Sequence, residues 1–456
     1  MTSYQQLFEQ HEKTISQHSA AALNVQRRMF YERWCMTGWP TKHTENYRHI
    51  DFGQLTDIDY GLNLSQLDMG VKPQHMFHCN VPDIGNQLFF VVGEQFVAPA
   101  NTGAALLPEG VVVCSMKDAS TRFPELVGQY VNTLAAKVDD PLVNFNGAFA
   151  QDGFFVYVAE GVCMEQPIQL VNIMSGSMDM MANAHNLVVV GNGATARLLV
   201  CDHVLNSTPH FCATRTTEVI LGKHATYEHY KLESTSHNTC SLNNLFVSQQ
   251  AESTLLTNVI TLHNGMTRNN IIITQDGERC DTTLCGMAIA DGEQTADNFS
   301  RIIHHHVGGH SRELFKYILD ENSRGNFCGQ LMVMPGAQQT EAYQTNRNLL
   351  LANTAQVKTK PQLEIYADDV KCSHGATTGQ LDEAALFYMR QRGIGYQEAR
   401  MLLMQAFVSD VIDHIKIDPL RTRISEMVEN RLRNRGRHDA HRCNTKGCEG
   451  CSLSIL

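Results

Sequence analysis

The densest concentration of reactive side chains lies between Lys360 and Thr377, in the run KPQLEIYADDVKCSHGAT. Leu363, Ile365 and Ala367 alternate with Glu364, Tyr366 and Asp368, the period-two pattern of a strand. If the strand continues, Cys372 and His374 are two apart and face the same side. A thiolate beside an imidazole suits a soft metal or iron. It also suits a nucleophile with its base. The plain alternative is a buried cysteine beside a surface histidine, since Cys is among the most buried residue types.

Two other clusters carry ligand chemistry. His304, His305 and His306 precede Gly308, Gly309 and His310. On a strand His304 and His306 share a face, and a turn at the glycines could return His310 to them. Asp297 and Glu293 are near in sequence, so a carboxylate–histidine metal site stays open beside a polar edge. The third cluster is Cys443, Cys448 and Cys451, close to the terminus, with His438 and His441 just before. Four-then-two spacing resembles part of a ferredoxin ligand loop. With a histidine as fourth ligand it would also suit Zn²⁺. A redox-reactive or passive tail is the other reading. Cys280 and Cys285 fall on opposite sides of an ideal strand. Cys201, Cys212 and Cys240 look isolated and read as packing. No GxxxxGK, HExxH or GxSxG motif occurs, so nothing points to nucleotide hydrolysis, zinc proteolysis or α/β-hydrolase chemistry.

The elements that must position these residues fall into three blocks and a tail. Residues 1–85 read as a helical region: Leu7, Phe8, Ile15, Leu23, Met29 and Phe30 recur at helical spacing, and Gly38 and Pro40 end it. Residues 86–378 read as β. Short apolar runs such as 89–92, 154–158, 168–173, 187–190, 255–262 and 315–319 have strand length. Gly191-Asn192-Gly193, Asp276-Gly277, Asp291-Gly292 and Pro335-Gly336 punctuate them. No long helix interrupts, which argues against alternating β/α architecture. A β region of this length must close as barrels, stack as sandwiches or wind as a solenoid. Residues 379–425 return to helix, with Ala399, Leu402, Leu403, Ala406, Phe407 and Val411 on one expected stripe. Residues 426–456 read as a flexible basic tail carrying the three cysteines.

Composition bounds the function. The 456 residues allow two to four folding units, and 43% hydrophobic content supports a sizeable core. The net charge of −11 argues against a generic nucleic-acid or polybasic membrane binder. No apolar run reaches the roughly 18 residues that span a bilayer. The start, MTSYQQLFEQHEKT, lacks the features of a secretory signal. The expectation is a cytoplasmic protein with reduced thiols.

Longer motifs then carry a resemblance. Ala290-Asp291-Gly292-Glu293-Gln294, Ser323-Arg324-Gly325, Pro335-Gly336-Ala337-Gln338, Asn346-Arg347-Asn348-Leu349-Leu350-Leu351 and TKPQLEIYADDVKCSHGATTGQLDEAALFYMRQRGI closely resemble the SufD family. Near the start, Pro40-Thr41-Lys42 with Glu45-Asn46-Tyr47-Arg48 is similar to that family's entry motif. The resemblance implies a right-handed parallel β-helix flanked by N-terminal and C-terminal helical regions. It implies a non-enzymatic scaffold subunit of the SUF (SufBCD) iron–sulfur cluster assembly complex. Such a subunit pairs with a SufB-like paralogue and docks a SufC-like ABC ATPase through its C-terminal helices. A cysteine desulfurase and a sulfur-transfer protein act indirectly, and a homodimer is possible in isolation.

The family's interface histidine falls on His374, with Cys372 beside it. The cofactors implied are a transient Fe–S cluster shared with the partner and, at the level of the complex, a reduced flavin. No flavin fingerprint is visible here. Nothing in the resemblance assigns the Cys443–Cys451 tail. Two alternatives stand beside this reading. One is a SufB-like member carrying the acceptor cysteine. The other, more remote, is a β-helix polysaccharide lyase, which the missing signal peptide and the Cys–His motif disfavour.

Overall fold

A rung of 29 to 32 residues repeats through the chain and brings distant strands side by side. Met266 lies beside Thr295, and Thr295 beside Arg324, with the register kept along ten residues. The computed structural model describes residues 3–73, 87–97 and 107–433. Successive strands alternate between two ten-stranded sheets. The pairing is parallel except at the start. There Gln95–Val97 runs antiparallel to Leu88–Val92 in one sheet, and Val111–Ser115 antiparallel to Phe154–Val158 in the other. The result is a parallel β-solenoid of about eight turns. The choice that periodicity left open between sandwiches and a solenoid is settled by this register.

Helices cover part of the outer face of each sheet, as parallel sheets favour. Inside the solenoid the two sheets meet over Val188, Leu198, Val219, Leu255, Ile271 and Phe315. Outside the first sheet lie helices Ser3–Gln17, Ala21–Thr37 and Pro141–Phe149, which bury Phe8, Trp34, Phe145 and Phe149 against Cys212, Cys240 and Leu242. Outside the second sheet lie helices Tyr396–Asp413 and Asp418–Arg433, with Met404, Val408, Ile424 and Val428 packed on Tyr230, Ile260 and Met287. Gly38, at φ +62°, ends the second helix as its spacing predicts, and its N–H closes on the Trp34 carbonyl. Among the described residues no helix is long and apolar enough to cross a membrane.

Three details differ from the sequence reading. The span read as β holds three short helices, Met116–Arg122, Pro124–Tyr130 and Pro141–Phe149. Their start signals are present: Pro124 and Pro141 open two of them, and Asp140 accepts from the Leu142 and Val143 amides. At the other end, helix Asp418–Arg433 runs through position 426, where the tail was expected to begin. Third, the buried stripe of helix Tyr396–Asp413 is Ala399, Met401, Met404, Val408, Val411 and Ile412. Leu402 and Ala406, expected on that stripe, face outward. Long flexible methionines fill the sheet-facing side, which a count of leucines overlooks.

Candidate functional site at the open end of the solenoid

The run that carries Cys372 and His374 forms the last rung. Strand Gln356–Ile365 ends the first sheet and strand Val370–Gly379 ends the second. Among the described residues the latter pairs only with Thr340–Leu350, so its far edge offers ten residues with no strand partner there. Cys372 stands beside Ala342, and His374 beside Gln344. Both of those neighbours are buried inside the solenoid. Cys372 packs against the interior cluster with Val333, Ala337 and Ala367. The same-face expectation for Cys372 and His374 therefore agrees with the strand alternation. Cys372 is half-buried, and burial pushes its thiol above the ordinary range, which disfavours the thiolate. His374 is exposed. Lys371 faces outward and pairs with Glu341 at 2.8 Å.

A polar column lies behind His374. One rung back, the Gln344 amide donates to Glu313 Oε2 at 2.6 Å, and Ser300 donates to the other carboxylate oxygen. Burial raises the Glu313 carboxyl to about 7. These residues are 30 and 61 positions from His374, so the rung period is the signal that finds them.

Around the open end the surface is unusually aromatic. Phe387 is 63% exposed, and Tyr366 and Tyr388 are each 58% exposed. Tyr343 and Tyr396 join them. Helix Glu383–Gln391, which bears Phe387, buries only Leu386. The helix behind it is firmly seated. Lys316 donates to the Phe407 carbonyl and pairs with Asp410, both at 2.6 Å, and Asn258 donates to the Val411 carbonyl. The family-like motifs elsewhere are anchors. Tyr47 donates to Asp140 at 2.7 Å, accepts from Asn270 and lies 4.4 Å from the Arg268 guanidinium. Arg268 in turn pairs with Asp297. Asp291 receives Arg431 from the last helix.

The other candidates do not converge. His304 is inside the solenoid, bonded to Ser311 at 2.9 Å, whereas His305, His306 and His310 are exposed. Asp297 is committed to Arg268. Glu293 borders a groove of about 760 Å³ that also touches His49, His210, His237 and Cys240. Among the described residues no group of three or more His, Cys, Asp or Glu is placed to hold a metal ion. Cys443, Cys448 and Cys451 lie outside the described residues. Cys212 and Cys240, which look isolated in sequence, are register neighbours on adjacent strands.

The comparisons with known proteins cover nearly the whole of this architecture. The family described as "SUF system FeS cluster assembly, SufBD core domain" matches residues 172–407. The "SufBD protein N-terminal region" matches residues 1–170. An iron–sulfur cluster assembly SufBD family protein of Synechocystis is 30% identical over 85% of this chain and 86% of its own length. The iron–sulfur cluster assembly protein SufD of Escherichia coli is 27% identical over 87% of this chain and 90% of its own. SufD of Bacillus subtilis is 24% identical over 77% and 81%.

Proposed function

This chain belongs to the SufBD family of iron–sulfur cluster assembly proteins and is SufD-like, and we propose that it is the non-enzymatic scaffold subunit that completes the assembly site with His374. The observation that carries the reading is the last strand. It presents an edge unpaired among the described residues, an exposed histidine and a half-buried cysteine at one end of a rigid solenoid. An Fe–S cluster takes up to four protein ligands. Two side chains at an open edge supply half of such a set, and a second solenoid meeting that edge supplies the rest. In this proposal the partner is a SufB-like paralogue, the cluster is transient cargo, and Cys372 is the secondary ligand.

The exposed Phe387, Tyr388 and Tyr396 are the surface on which a SufC-like ABC ATPase docks. Aromatic side chains are the usual anchors of protein interfaces. The helix that bears Phe387 and Tyr388 is joined directly to the His374 strand by residues 380–382. Movement of a docked ATPase therefore reaches the edge over a short lever. ATP hydrolysis belongs to that partner, and this chain turns nothing over.

The test is an anaerobic pull-down of the full-length chain from its host, with stoichiometry. One SufB-like paralogue and two ATPase copies are expected. His374→Ala should then lower the cluster yield of the complex while the subunits stay associated. Unchanged yield removes His374 from the site. Recovery of the chain alone, or as a homodimer, removes the paired-edge mechanism.

A further inference from the structure

Gln344 stands between a buried carboxylate and His374. Its Nε2 is committed to Glu313 at 2.6 Å. Its Oε1 is buried and accepts no hydrogen bond among the described residues, and such an orphan acceptor is uncommon inside a protein. The amide is held in place by more than that bond. A Cβ on Gly329, in the facing sheet, would lie 2.1 Å from Gln344 Nε2 and 2.7 Å from its Cδ. Glycine at 329 thus leaves the space that the amide fills. Glu313 is equally fixed, between Gln344 and Ser300.

The next inward-facing residue along this column is His374, in register with Gln344. Neighbouring strands are about 4.8 Å apart. His374 is therefore the register neighbour of Gln344 on the open side of the column.

We propose that Glu313, acting through Gln344, is a positioning residue for His374: Gln344 Oε1 accepts one imidazole N–H, fixes the tautomer, and turns the other ring nitrogen outward as the ligand atom. This inference rests on the reading of His374 as a ligand at the assembly edge. The logic is that of histidine ligands generally, whose second nitrogen is held by a carboxylate or carbonyl. Here an amide carries the carboxylate's orientation across one rung. No proton needs to leave Glu313.

The experiment reads histidine ring ¹⁵N shifts in the labelled full-length chain, with His374 assigned by the signal lost in His374→Asn. A single His374 tautomer is expected in the unaltered chain, and a mixture of both in Gln344→Leu. Glu313→Gln keeps an acceptor for the Gln344 amide and should keep the single tautomer, which separates orientation from charge and guards against a misfolded Gln344→Leu. Cluster yield in cells should fall about 10-fold in Gln344→Leu. Mixed tautomers in the unaltered chain, or identical populations with and without Gln344, overturn the relay. A normal yield in His374→Ala overturns the assembly-site reading, whatever the tautomers show.

Discussion

Arg431 and Asp291 are 140 residues apart in the chain and meet in a two-pronged ion pair, Nη1 to Oδ2 at 2.8 Å and Nη2 to Oδ1 at 2.6 Å. Arg431 Nε adds a third bond, to the Leu262 carbonyl at 2.7 Å. The pair seats the last helix on the corners of the second sheet. It also gives a physical reason for the Ala290-Asp291-Gly292 motif, whose Gly292 turns at φ +56°. We expect Arg431→Ala to lose roughly 3 kcal/mol, because it removes a two-pronged charge pair from a buried carboxylate. Arg431→Lys should recover only part, since an ammonium cannot span both oxygens. Urea unfolding, with hydrogen exchange across residues 418–433, measures both.

Tyr47 plays the same part at the other end. Its hydroxyl joins Asp140 and Asn270, and thereby ties the entry segment to a helix and to the solenoid. Tyr47→Phe keeps the ring over Arg268 and removes only the hydroxyl. The expected loss is about 1–2 kcal/mol, from one charged and one neutral hydrogen bond. Faster limited proteolysis within residues 38–60 is the readout.

The buried carboxyls set a pH dependence. Burial lifts Glu94 and Glu313 from an ordinary 4.5 to about 7. Between those values the folded chain holds more protons than the unfolded one. Their contribution to stability is therefore greatest below 4.5 and is lost as pH rises through 7. Glu313→Gln removes one such group. Relative to the unaltered chain it should gain roughly 2–3 kcal/mol between pH 4.5 and pH 8. Thermal melts of both proteins across that range give the difference, and parallel curves would contradict it.

Deleting the residues after Arg437 should leave complex formation intact. The last helix makes its pairing with Asp291 by Arg431, before the cut. Size-exclusion chromatography of the shortened chain with its co-purifying partners checks this. Loss of the complex would make the tail part of the structure.

The sequence showed the helix–β–helix order because the apolar runs and glycine stops are local signals. It hid many of the strands. Thr239–Gln249 and Thr340–Leu350 are rich in Asn, Gln, Thr and Ser, and neither reads as a continuous apolar run. Polar ladders from rung to rung help hold them, as Asn243 finds Asn269 and Asn269 finds Asn298. Such ladders depend on register across about 30 residues, which a local window cannot see. The same blindness separated Cys212 from Cys240, and Glu313 and Gln344 from His374. The pairing of Cys372 with His374 was legible because two residues on one strand need no tertiary knowledge.

The two ends of the solenoid are unequal, and this limits what can be built from it. At the start, each sheet finishes in a short strand running backwards, three residues in one case and five in the other. At the finish, two ten-residue strands have no further strand beside them among the described residues. Among the described residues the long parallel edges thus stand at one end alone, and the short reversed strands at the other blunt it against edge-to-edge stacking.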